Sequence, residues 1–132
     1  MADNLPDAIE NLVLTWLFTN SAATRPTTST LKLRLMTANG SDSSAGTELG
    51  TSGGYTAGGA TVTFGTAASG QIATSADVTW TTMPATTITG VEVWDTAGSP
   101  VRLAYGALTA NKTTNSGDTF TIATGALTIS LA

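Results

Sequence analysis

The sequence predicts a mainly β protein, a single antiparallel β-sandwich or jelly-roll-like domain with one N-terminal α-helix. Three observations predict it. Apolar positions repeat with helical period in one segment only, at the N-terminus. From residue 30 onward they alternate with period two, and Gly, Asn, Asp and Pro clusters punctuate the runs. Finally, 28 Thr, 20 Ala, 14 Gly and 11 Ser make up more than half of the 132 residues, while 41% hydrophobic and 11% charged residues suit a threonine-decorated β surface better than disorder. That length matches one hydrophobic core, so residues 1–132 read as a single domain.

The helix is expected over about residues 4–19. Leu5, Ile9, Leu12, Val13, Trp16 and Leu17 fall on one helical face, with Asp7, Glu10, Asn11 and Thr15 off it. Asn4 is placed to cap the start, Pro6 is tolerated in the first turn, and Asp7 and Glu10 favour the positive end of the helix dipole. Asn20-Ser21 and then Thr24-Arg25-Pro26 end it near Thr19. Leu12, Trp16 and Leu17 should bury against the sheet or a neighbouring subunit.

The β-rich body should occupy about residues 30–132. Leu31, Leu33 and Leu35 alternate with Lys32 and Arg34; similar alternation marks Val62 and Phe64, Val78 and Trp80, Val101 to Tyr105, Phe120 and Ile122, and Leu127 to Leu131. Turn signals at Asp95–Pro100, Asn115–Asp118 and Ala123–Gly125 suggest antiparallel hairpins. Between Thr87 and Asp95 the apolar parity changes at Gly90, which fits either a bulge there or a strand buried on both faces, the latter giving Trp94 a place. Residues 38–60 form an apolar-poor, Gly- and Ser-rich loop of a length that is either functional or ordered by a partner, and the partner is the favoured reading. Its one large side chain, Tyr55, is either the anchor for that partner or a cover for its own sheet.

Composition excludes much chemistry. Without Cys or His there is no disulfide framework, no thiolate or imidazole zinc site, and no histidine base. A net charge of -4 with scattered cations argues against binding a nucleic-acid backbone, and no stretch approaches bilayer-spanning length. Gly50 to Tyr55 lacks the GK[ST] ending and following helix of a phosphate loop. Asn39, Ser41 and Asp42 depart from the spacing of a known calcium loop. Asp77, Asp95 and Asp118 sit beside turns, where carboxylates accept backbone N–H groups. Hence no catalytic residue, metal ligand or cofactor site is expected. Trp16 and Trp80 lie on apolar stripes, leaving Trp94 as the tryptophan most open to solvent.

Several motifs occur in a fixed order. They are Thr15-Trp-Leu-Phe, the Leu31–Leu35 strand, Glu48 with Ser52-Gly-Gly-Tyr55, Val62-Thr-Phe-Gly65, Ala76-Asp-Val-Thr-Trp80, Gly117-Asp118 and Gly125-Ala-Leu-Thr-Ile129. In this order they resemble small tailed-bacteriophage virion structural proteins, variously described as head decoration or cement proteins and as tail-fibre-like proteins. Two positions depart from that pattern: Thr56 stands where Arg often follows the Tyr, and Ala38-Asn39-Gly40 replaces an Asp-Pro. The resemblance implies a non-enzymatic virion protein assembled in the host bacterial cytoplasm. Most concretely it implies a capsid cement or decoration protein bound between major capsid protein subunits and to copies of itself, as a homo-oligomer without nucleic acid or membrane. A tail- or fibre-associated structural protein is the alternative, and a carbohydrate-binding module using Trp94 or Tyr55 a further one. Tyr55, Trp94 and Trp16 are the candidate interface residues.

Overall fold

The computed structural model describes residues 5–20, 31–96 and 98–131. The helix α1 spans Asp7–Phe18. Pro6 takes the capping position with extended backbone, and its carbonyl accepts the N–H groups of Ile9 and Glu10 at 2.8 and 3.1 Å. The cap assigned to Asn4 lies outside the described residues. At the other end Thr19 is extended, and its hydroxyl donates to the Thr15 carbonyl at 2.7 Å. The helix meets the body near its start: Leu5 packs on the core, Pro6 is buried, and Ile9, Leu12 and Val13 are half-buried.

The second half of α1 corrects the expectation of burial within the chain. Trp16 is 63% exposed and Phe18 78%, with Leu14 and Leu17 also exposed. The described part of the body covers the start of the helix and leaves these apolar side chains largely open.

Among the described residues nine strands follow: β1 (Leu31–Ala38), β2 (Thr47–Glu48), β3 (Ala60–Thr61), β4 (Gln71–Ala73), β5 (Val78–Met83), β6 (Thr86–Asp95), β7 (Val101–Thr114), β8 (Asp118–Ile122) and β9 (Thr128–Ser130). All pairings are antiparallel. The main sheet runs β2-β1-β6-β7, with β3 also paired to β1, and the shorter pairs β4-β9 and β5-β8 complete a sandwich-like, mainly β architecture.

Period-two alternation decides what fills the space between these layers. Leu33 and Leu35 of β1 lie opposite Val93 and Val91 of β6, and all four are buried. Val78 and Trp80 of β5 lie opposite Ile122 and Phe120 of β8 and are buried as well. Trp80 links the aromatic part of the core, its ring centroid 5.9 Å from Phe120 and 6.2 Å from Tyr55.

Both readings of the phase change at Gly90 hold. The β6-β7 register shifts between Ile88 and Gly90, and β6 is buried on both faces over Gly90–Val93. A Cβ on Gly90 would come within 2.6 Å of the Gly106 carbonyl oxygen, so only glycine allows the two strands to close here. The strand β5 is irregular too: between Trp80 and Met83, Thr82 adopts φ 55 and its carbonyl accepts the Gly54 N–H at 2.7 Å. Strands β2 and β4 are additions to the expected set. With two and three residues, they are too short to show a period.

Candidate interaction surface

The outer face of the main sheet carries an unusual amount of charge for so neutral a chain. The register places Arg34, Glu92 and Tyr105 side by side across β1, β6 and β7, with Lys32, Trp94 and Arg102 in the adjacent row. The segment from Asn39 to Gly46, which joins β1 to β2, folds over this face.

Arg102 clamps the segment down. Its Nη2 donates to the carbonyls of Ser41 and Asp42 at 2.5 and 3.0 Å, and Nη1 donates to the Ser44 carbonyl at 2.8 Å. The same Nη1 lies 3.2 Å from Glu92 Oε1, in an ion pair whose side chains are 8% and 1% exposed. Glu92 Oε1 also accepts the Gly46 N–H at 2.7 Å, while Oε2 accepts the Trp94 indole N–H at 2.9 Å. The Tyr105 ring lies under the Arg102 guanidinium, 4.7 Å away, and its hydroxyl donates to the Asp42 carboxylate.

A second cluster joins the first through Trp94. Arg34 stacks over the Trp94 ring at 4.3 Å and pairs with Glu48 Oε2 at 3.4 Å. Glu48 Oε1 accepts the Tyr55 hydroxyl at 2.7 Å and the Gly58 N–H at 2.6 Å. Tyr55 accepts the Leu35 N–H at 3.2 Å, so its phenol is both donor and acceptor inside the core. Burial is the main force pushing the Tyr55 pKa well above the ordinary tyrosine range; the Leu35 N–H works against it, and the neighbouring Glu48 reinforces it.

Such a network is costly to desolvate, and its stabilisation depends on every polar atom finding a partner. What it secures is geometry. The loop from 39 to 59, expected to await an outside partner, is held by its own chain at Gly46, Gly58, Ser41, Asp42 and Ser44. Gly53 and Gly54 bring the backbone against β5 so that Tyr55 can enter the core; a Cβ on Gly54 would lie 1.8 Å from the Thr81 carbonyl oxygen.

Of the three candidate interface residues, Tyr55 is fully buried, covering its own sheet. Trp94 is half-buried under Arg34, and Trp16 stands apart on α1. The structure brings Tyr55 and Trp94 into one network and leaves Trp16 out of it. Sequence reasoning gave no site role to Glu48, Glu92, Arg34 or Arg102. The available signal for Glu92 was its place between Val91 and Val93 in a strand already read as buried on both faces.

The remaining surface features are modest. A pocket of about 170 Å³ opens beside the loop, lined by Met36, Asn39, Val91, Tyr105 and neighbouring glycines. The Ser41 and Asp42 carbonyls face Arg102. Among the described residues no three Cys, Asp or Glu side chains gather to hold a metal. As the sequence suggests, Asp77 and Asp118 serve turns: Asp77 accepts the N–H and hydroxyl of Thr124, and Asp118 accepts the Asn115 N–H. On the outside of β5 and β8, Thr79 and Thr121 join hydroxyls at 3.0 Å.

A sandwich-like β domain in which Arg34, Glu48, Glu92 and Arg102 are occupied in holding its own loops has the character of a structural subunit. The family comparison gives that class a specific form: residues 4–130 match the model of the podophage GP4 fiber I protein gp80 family, and the chain belongs to that family of phage structural, tail-fibre-like proteins. No curated protein matches the chain.

Proposed function

We propose that this chain is a non-enzymatic subunit of a phage fibre, a virion component that works by holding neighbouring proteins in place. The family match across residues 4–130 carries the reading, and it favours the tail- or fibre-associated alternative over the capsid cement expectation. The network is consistent with it, because Glu48 and Glu92 are committed to Tyr55, Arg34, Trp94 and Arg102 instead of facing a substrate cleft. The carbohydrate-module reading loses support, since Tyr55 is enclosed and Trp94 carries Arg34 on its ring.

The partners on this reading are copies of the chain and adjoining fibre or tail proteins. Immunogold labelling of purified virions with an antibody to the folded chain tests it. Label confined to fibres is the expected result. Label spread evenly over the head shell would overturn it and reinstate cement.

A further inference from the structure

From Leu12 to Phe18 the helix α1 reads Leu-Val-Leu-Thr-Trp-Leu-Phe, six apolar residues in seven. Successive side chains on a helix are about 100° apart, so these six point to all sides, and a helix apolar all round is stable when it is surrounded. The described residues of the body do not surround it. Leu14, Trp16, Leu17 and Phe18 are 54%, 63%, 57% and 78% exposed.

We propose that α1 is a self-association element, in which copies of this chain pack Leu14, Trp16, Leu17 and Phe18 against the same residues of their neighbours. Area supports the choice of occupant. The four side chains expose on the order of 500 Å² of apolar surface per copy, so copies packed together offer at least the roughly 1,000 Å² from which a specific interface is built, and more than two copies are needed to cover all sides of the helix. A flat patch on an unrelated protein covers one side of a helix, whereas identical helices around a shared axis cover several. A lipid surface fits poorly. The helix has 12 residues, about 18 Å, against a hydrocarbon core of about 30 Å. Its charges are the acidic Asp7 and Glu10, with no basic residue, the reverse of a helix that lies on anionic lipid. Leu5 and Pro6 fix the start of α1 to the body, while Leu14, Trp16, Leu17 and Phe18 stay open to other copies. The inference rests on the helix and not on the fibre assignment.

Light scattering of the full-length chain over a concentration series tests it. The expected mass is a multiple of the 13.3 kDa of one chain. The double variant Trp16→Ser/Phe18→Ser should raise the association midpoint by about tenfold or more in concentration, the effect of losing buried aromatic anchors, with the β circular dichroism signal intact. Glu10→Gln, off the apolar half, should leave it unchanged. If the double variant fails to fold, Leu17→Lys at an exposed position is read in its place. A monomer at every concentration, association indifferent to these substitutions, or flotation of a monomeric wild-type chain with anionic phosphatidylglycerol vesicles would each overturn the proposal.

Discussion

A carboxylate taken out of water needs its oxygens answered by donors, and Glu92 meets that need with Gly46, Trp94 and Arg102. Removing one partner of such a buried pair leaves the other charged and uncompensated. Arg102→Met should therefore cost about 3–5 kcal/mol in urea unfolding of the isolated protein. The double variant Arg102→Met/Glu92→Leu should cost less than Arg102→Met alone, because no orphaned charge remains. Tyr55 behaves differently because its buried form is neutral. Its folded pKa is raised above the unfolded value of about 10, so the stability it contributes is complete below about pH 10 and is lost as pH rises further. Tyr55→Phe should cost about 1–3 kcal/mol at neutral pH, by leaving the Leu35 N–H without its acceptor, and should flatten the alkaline fall in the urea midpoint.

At the level of elements, the loop from 39 to 59 departs most from what its composition suggests. A Gly- and Ser-rich segment has little apolar surface with which to order itself, and ordering costs about 1–2 kcal/mol of backbone entropy per residue. Here the order comes from Arg102 and Glu92 beneath the loop and from Glu48 with Tyr55 inside it. Amide hydrogen exchange on the isolated chain should find Gly46 and Gly58 protected, and Arg102→Met should release Gly46 while leaving Gly58 slow, since Gly58 answers to Glu48. Rapid exchange at both glycines in the wild-type chain would contradict this account.

Only part of this fold was legible in the sequence. Period alone located α1 and most of the long strands, because those elements repeat a pattern over many residues. It also located the change of phase at Gly90. It could not show that Trp16 faces outward, since an apolar stripe states only that something covers it. Nor could it pair Arg102 with Glu92 and the loop carbonyls, because those contacts join positions up to 61 residues apart, and only the fold defines them.

At the scale of the whole molecule, the sheet order places an early strand at the centre. Along Leu31–Met36, β1 is paired with β6, a strand that begins at Thr86. Loop closure over such a distance must precede any gain from the central sheet, which puts the protein among slow, topology-limited folders. At synthesis rates of about 5–20 residues per second, β1 waits several seconds for β6 to be made. Through that interval Leu33 and Leu35 have only β2 and β3 beside them, and an unpaired apolar strand is a template for pairing with another nascent chain. Lys32 and Arg34 alternate with those leucines. Charges set into an apolar strand in this way discourage its pairing with a like strand, so the residues that later pair with Thr61 and Glu48 also protect β1 during the wait for β6.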